Sequence, residues 1–215
     1  MIKTVAIFGA TDKTGRQLIT HAMAKGWHVR AFGRNVVAEF VEKDLHNENF
    51  TAIKGYVFDE VDVLQAVTGA DGVFVARGSS VDANDKSYSL GMKNIVTQME
   101  KAGVSRLVTI ASMGILPDHK TEMVLDSKGY EVKHTPATLE FNQVYTYLKE
   151  SSLDWTLVCH PAIIPGDADN HFVTKSEASL DGDHISAGNL ALFMIQEMDR
   201  KEYVRKRVAI VDREP

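Results

Sequence analysis

Short apolar runs and stretches of helical period alternate along this chain almost from its first residue to its last. Val5-Ala6-Ile7-Phe8 is an unbroken apolar run, the pattern of a parallel strand covered on both faces. It meets Gly9, and from Lys13 to Lys25 the residues Leu18, Ile19, Ala22 and Met23 recur at helical spacing until Gly26 stops the helix. The same reading predicts strands over His28 to Phe32, Thr51 to Val57 and Gly72 to Ala76, with helices over Val36 to Lys43 and Val61 to Val67 between them. A long helix, Tyr88 to Ala102, ends at Gly103 and leads into a fifth strand over Arg106 to Ala111.

The second half is looser. Residues 114–136 are polar and broken by Pro117 and Pro136, the signature of a loop or lid. Helical period resumes from Thr138 to Ser151, followed by a strand over Trp155 to Cys159 and an irregular strand or hairpin over Phe172 to Leu180. A helix over Ala187 to Met198 and a last strand over Arg207 to Val211 complete the pattern. Strand-helix alternation with tight glycine stops predicts right-handed crossovers, hence an α/β, Rossmann-like, doubly wound and mostly parallel sheet. One domain over 1–215 is expected, with the substrate cleft formed by the second half, because no linker, repeat or low-complexity tract divides it.

Composition narrows the class. A length of 215 residues suits one core, which commonly organises about 100 to 250. The single cysteine, Cys159, excludes an internal disulfide and reads as a small buried apolar residue. A reducing, cytoplasmic setting follows as the expectation, since the first residues run straight into a strand with no signal-peptide pattern. No apolar run approaches the roughly 18 residues of a membrane span. The formal net charge of -5 offers nucleic acid no electrostatic pull. The one basic cluster, over 200–207, reads as a solvated turn, and Met92, Met99, Met194 and Met198 as core.

The candidate chemistry lies where the first strand ends, in Gly9-Ala10-Thr11-Asp12-Lys13-Thr14-Gly15. Gly9 lets the chain turn sharply and Gly15 lets the next helix sit close to the sheet. The helix N-terminus then offers backbone N–H groups and a positive dipole end to a pyrophosphate. The middle position departs from the pattern: Asp12 stands where a glycine usually lets backbone approach the phosphates, and Lys13 follows as a compensating charge. After the second strand comes Arg34, with no acid at that strand end. An acid there would take the ribose hydroxyls of NAD; a guanidinium suits a 2′-phosphate. NADP(H) is therefore expected ahead of NAD(H).

At these residues the chain resembles NmrA-like atypical short-chain dehydrogenases/reductases, and within them most resembles the biliverdin-IXβ/flavin reductases. The resemblance rests on Val5-Ala6-Ile7-Phe8-Gly9-Ala10-Thr11 and Lys93-Asn94-Ile95-Val96 before Ala102-Gly103-Val104. It continues through 148–156 ahead of Pro161 and through Leu180-Asp181-Gly182 before Ile185-Ser186. It implies an NADP-binding fold that passes hydride to a flavin or similar planar acceptor, the flavin being substrate rather than a tightly bound group. It further implies that Gly9, Thr11, Thr14 and Gly15 shape the pyrophosphate turn and that Arg34 meets the 2′-phosphate. Val57 and Phe58 would line the adenine pocket, although Tyr56 replaces the acid that follows Gly55 in similar proteins. Ala76, Arg77 and Gly78 would pass beneath the cofactor bridge, with Ser112 near the nicotinamide. Asn189 stands where the group often has an acid.

Tyr145 and Lys149 have the four-residue spacing of a dehydrogenase tyrosine-lysine pair, in which the lysine lowers the tyrosine pKa. The resemblance instead aligns that pair with Ala137 and Phe141, and Lys149 sits where it would neutralise a helix C-terminus. Tyr145, Ser112 and His160 are thus the candidates for the substrate side, the last two at strand ends where such sheets bind ligands. Flavin reduction does not require the pair, because the cofactor carries the hydride and solvent can supply protons. The eight histidines show no metal-binding spacing, and Ser112 lacks the first glycine of a hydrolase elbow.

A leading and a competing class stay open, with a third behind them. One is an NAD(P)H-dependent reductase, a monomer or homodimer acting on a small planar acceptor with no nucleic-acid or membrane partner. The other is a non-catalytic NADP-binding sensor, a reading that Asp12, Tyr56 and the missing tyrosine-lysine pair favour. A relative that has lost dinucleotide binding is a third.

Overall fold

A computed structural model describes residues 3–40, 47–78, 82, 84–117, 123–126 and 134–213. In chain order the strands are β1 (Thr4–Phe8), β2 (His28–Gly33), β3 (Phe50–Lys54), β4 (Gly72–Val75), β5 (Arg106–Ser112) and β6 (Asp154–His160). Then come β7 (Ala162–Ile164), β8 (Phe172–Ser176), β9 (His184–Ser186) and β10 (Lys206–Asp212). The helices are α1 (Lys13–Ala24), α2 (Val36–Glu39), α3 (Glu60–Val67), α4 (Ser87–Ala102), α5 (Thr135–Glu150) and α6 (Ala187–Arg200).

The central sheet has eight strands in the order β3-β2-β1-β4-β5-β6-β10-β8, parallel except where β8 pairs antiparallel with β10. The order reverses between β1 and β4, and the carboxyl ends of those strands open a crevice there. Side-chain alternation divides the core. Ala6 and Phe8 of β1 face the side covered by α3, α4 and α5, whereas Val5 and Ile7 face the side covered by α1 and α6. Each face of β1 is thus buried, which is why its sequence is an unbroken apolar run.

The helices start and stop for local reasons. α1 buries Leu18, Ile19 and Ala22 and ends as Gly26 adopts φ 72°. Asp59 caps α3 by accepting the N–H groups of Val61 and Asp62 at 2.9 and 3.0 Å. Ser186 caps α6 through the Asn189 N–H at 3.2 Å.

Several expectations are corrected. The third strand is shorter than Thr51 to Val57, ending at Lys54, because Gly55 to Phe58 turn outward over the crevice. Only Phe172–Ser176 of the expected strand or hairpin is extended, and it forms the antiparallel sheet edge. The stretch 114–136 carries two short 3-10 turns, Met113–Ile115 and Val124–Asp126, and its final two residues begin α5, with Pro136 in the first turn where its missing N–H costs nothing. Residues 118–122 and 127–133, and the lid expectation with them, lie outside the described residues, as do 41–43 of the expected helix after β2. The pair β7 and β9, a small parallel sheet apart from the main one, carries too few residues to show a period.

The basic cluster over 200–207 is not simply solvated. Arg205 donates to the carbonyls of Lys149, Ser151 and Leu153 at 2.9, 2.9 and 3.1 Å, closing the end of α5. Arg207 pairs with Glu177 at 2.8 Å. Sequence reading also misses a fully buried ion pair, Arg106 with Glu197 at 2.9 Å, whose side chains are 2% and 1% exposed. The four methionines named above and Cys159 are buried as expected, and burial pushes the Cys159 thiol pKa up.

Candidate cofactor cleft at the strand switch point

The crevice at the switch point is a cleft of about 450 Å³. Its floor begins at Phe8 and Phe32, whose rings lie 4.7 Å apart, and at Val75. The wall on one side is the turn after β1. Gly9 holds φ 78°, and a Cβ there would come within 2.9 Å of the Ala76 and Arg77 backbone. Gly15 is tighter still, since its Cβ would lie 2.0 Å from the Gly9 carbonyl oxygen. Gly9 is thus required by the close pass of the β4 exit, and Gly15 by the first turn of α1 resting on the Gly9 carbonyl. The Asp12 N–H closes the turn on the Gly9 carbonyl at 3.1 Å, and Arg16 Nε donates to the Thr11 carbonyl at 3.1 Å.

Asp12 occupies the N-cap position of α1 in extended backbone, yet its carboxylate caps nothing. The first N–H groups of α1 are left without a side-chain partner, which is the anion-binding end of a helix. Asp12 and Arg77 both line the cleft. Partial burial raises the Asp12 pKa, and the positive charge of Arg77 opposes that rise. Arg77 is held by a hydrogen bond from its guanidinium to Ser87 Oγ at 3.1 Å. Thr14 and Gly15 are buried and Lys13 is exposed at the start of α1; none of the three lines the cleft.

The opposite end is built by the segments after β2 and β3. Arg34 is exposed on the cleft wall and, among the described residues, makes no hydrogen bond or ion pair. Tyr56, Val57 and Phe58 line the same end. Gly55 permits this path, because a Cβ there would lie 2.5 Å from the Phe32 ring. Val57 is pressed against Gly91 of α4, where a Cβ would meet it at 3.1 Å. Deeper, Tyr88 is buried with its hydroxyl donating to the Ile110 carbonyl at 2.9 Å, and burial pushes its pKa up.

The substrate-side candidates stand elsewhere. Ser112 and His160 are register partners at the ends of β5 and β6, next to each other but outside the lining of this cleft. Ser112 Oγ accepts the Gly114 N–H at 3.0 Å and lies 3.4 Å from Thr138 Oγ1. His160 Nδ1 lies 2.6 Å from the Pro161 carbonyl, so Nδ1 carries the proton, and burial lowers the ring's pKa. Its Nε2 is buried without a partner among the described residues. Tyr145 also lies outside the cleft lining: its ring meets Trp155 edge-on at 5.9 Å between the cations of Lys149 at 4.6 Å and Arg207 at 4.4 Å.

Asn189, in the acid's place, is buried, and its amide nitrogen donates to Asp169 and Asp212, both at 2.8 Å. The acids at this spot thus sit on neighbouring segments, and an amide joins them where a third carboxylate would repel. Among the described residues no helix is long and apolar enough to cross a membrane, and no cluster of His, Cys, Asp and Glu could hold a metal ion.

Comparison with known proteins agrees with this geometry. A 3-beta-hydroxysteroid dehydrogenase of Mycolicibacterium neoaurum is 28% identical over 158 residues, covering 67% of this chain and 40% of the relative. The chain spans less than half the length of such curated relatives. A Veillonella parvula short-chain dehydrogenase/reductase, solved in complex with NADP, superposes with a TM-score of 0.80 at 18% identity, covering 99% of this chain and 95% of that one. A Streptococcus pneumoniae protein described as a candidate NADH-flavin reductase superposes at 0.76 with 17% identity, covering 98% and 100%. A family model described as NAD(P)H-binding matches residues 9–201. That match takes in the glycine turn and most of the cleft lining, and this chain belongs to that NAD(P)H-binding family.

Proposed function

We propose that this oxidoreductase prefers NADPH and passes hydride to a flavin or a similarly flat, conjugated acceptor bound as substrate. Arg34 carries the cofactor preference: among the described residues it is an unpartnered guanidinium on the cleft wall, directly after β2, with no acid next to it in the chain to take ribose hydroxyls. Paired charge-assisted bonds to a 2′-phosphate would engage it. The Veillonella relative holding NADP and the Streptococcus relative described for flavin reduction support the two halves of this reading.

The first N–H groups of α1, with Thr11, would hold the pyrophosphate, and Arg77 would balance its charge. Ala76 and Gly78 would form the strand exit beneath the bridge, and Val57 and Phe58 the adenine side. When bound, the dinucleotide supplies the hydride. Ser112 and His160 stand on the next two strand ends and would receive the acceptor. A neutral His160 with its proton on Nδ1 leaves Nε2 as an acceptor, which would meet a donor only where the bound molecule reaches that buried atom, and it would not release a proton. Tyr145, between its two cations, would support this end from behind.

Titration of NADPH and NADH against the wild type and Arg34→Ala tests the preference. NADPH should bind the variant about 10- to 100-fold more weakly, the worth of charge-assisted hydrogen bonds, with NADH unchanged. Equal wild-type affinities would overturn it. Stopped-flow mixing with NADPH and FMN tests the acceptor: rapid NADPH oxidation is expected. Tight binding without transfer to any acceptor would instead favour the sensor reading, to which Asp12 in the turn and the absent tyrosine-lysine pair point.

A further inference from the structure

The base-binding end of the cleft combines aromatic rings, a guanidinium and no acid. Tyr56 and Phe58 are each 56% exposed, an unusual state for two aromatic side chains on one short turn, and both line the cleft with Arg34. Among the described residues lining this end there is no carboxylate; the one acid in the lining is Asp12, at the pyrophosphate turn.

Several nearby acceptors already hold partners within the protein. Asp62 Oδ2 accepts the Tyr56 N–H at 2.9 Å, and Asp59 Oδ1 accepts the two N–H groups that cap α3. The Tyr56 carbonyl accepts the Asp59 N–H at 2.9 Å. The Val57 carbonyl accepts Asn94 Nδ2 at 2.8 Å, and the Gly33 carbonyl accepts the Gly55 N–H at 3.3 Å. The lining of this end presents chiefly flat π surface and the positive charge of Arg34. Such a surface attracts any nucleobase face by stacking and cation–π contact, and no carboxylate in its lining singles out an exocyclic amine.

We infer that this protein recognises the base of its dinucleotide as a flat ring stacked on Tyr56 opposite Arg34, and not through the adenine 6-amino group, so that it accepts the hypoxanthine analogue as readily as the adenine cofactor. The inference rests on the cofactor reading above. It makes Tyr56 a specificity-determining residue, by what its ring fails to discriminate.

Isothermal titration of the whole chain with NADPH and with deamino-NADPH tests it without reference to turnover. The two dissociation constants should agree within about twofold, as expected when no hydrogen bond reads the amine. Tyr56→Phe should leave both unchanged, and Tyr56→Ala should weaken both alike by about tenfold, the lower range of stacking on one base. Tyr56→Asp should introduce discrimination, with NADPH favoured over the analogue by about tenfold. A wild type that binds NADPH but loses tenfold or more on the analogue would overturn this inference while leaving the cofactor reading intact. So would a Tyr56→Phe loss confined to NADPH, because the hydroxyl would then be accepting from the amine. If neither dinucleotide binds the wild type, the cofactor reading falls and the inference with it.

Discussion

Arg77 and Asp12 line the cofactor cleft together, the Arg77 guanidinium donating to Ser87 Oγ at 3.1 Å and its charge offsetting the carboxylate that the turn places where backbone usually approaches phosphate. The two residues come from the ends of different strands, and their opposition explains how an acid is tolerated in an anion-binding turn.

Asp12→Gly should therefore tighten NADPH binding, by about fivefold to tenfold if the carboxylate costs roughly 1 kcal/mol beside a pyrophosphate in partly solvated surroundings. An unchanged constant by titration would mean that the carboxylate points away from the ligand.

The same pair makes a pH prediction. The Asp12 pKa is raised in the folded protein, so the folded state holds this proton more tightly than the unfolded chain. Ionising it costs stability as pH climbs from the unfolded pKa to the folded one, and the deficit persists above. Asp12→Asn should equal or exceed the wild type in thermal stability at neutral pH and match it near pH 3. NADPH affinity of the wild type should rise as pH falls toward the carboxyl range, and this rise should vanish in the asparagine variant.

Gly15→Ala places a methyl 2.0 Å from the Gly9 carbonyl oxygen, which neither backbone can yield without opening the turn. A loss of about 1–3 kcal/mol in denaturant unfolding is expected, the usual cost of overpacking, together with loss of NADPH binding. Wild-type affinity in this variant would show that the turn does not carry the cofactor.

Glu197→Gln should cost about 3–5 kcal/mol, because Arg106 would keep a buried charge without its ion-pair partner. Replacing both residues by Met and Leu should recover much of that loss, measured by the same unfolding curves. NADPH affinity of the folded protein should be unaffected in either case, since the pair lies outside the cleft lining.

Ser112→Ala should lower the rate of acceptor reduction about tenfold while leaving the NADPH dissociation constant unchanged, if the hydroxyl serves the acceptor side. Tyr145→Leu should instead lower stability by about 1–2 kcal/mol through its lost ring contacts, with turnover per folded molecule retained. A turnover collapse in the leucine variant at full stability would return Tyr145 to the substrate side.

Residues adjacent in the chain disclosed much of this protein. The apolar run into Gly9, the helical period of Leu18, Ile19 and Ala22, and the stop at Gly26 depend on neighbours a few positions away, so period and glycine placement are enough to read them. Arg34 was legible for the same reason, because the residue following β2 is located as soon as the strand is. The short β7 and β9 carry no period and are extended only because each finds the other. The ion pair of Arg106 with Glu197 joins residues 91 positions apart, and nothing local marks either as buried. Tyr145 shows how little a local spacing says about a ring's surroundings. Its spacing to Lys149 is that of a catalytic pair, but the ring's surroundings depend on Arg207 and Trp155, brought to it by β10 and β6.

The sequence by itself determined the alternating pattern, the glycine turn and the charge that follows β2, since each is written in contiguous residues whose backbone preferences are local. Only the tertiary structure decided that the charge of Arg77 offsets Asp12, that Tyr56 lines the cleft with Arg34 and no carboxylate at that end, and that Ser112 stands beside His160. Those relationships join strand ends and helix starts far apart in the chain. Their energies come from distance and solvent exclusion, which exist only once the sheet has assembled.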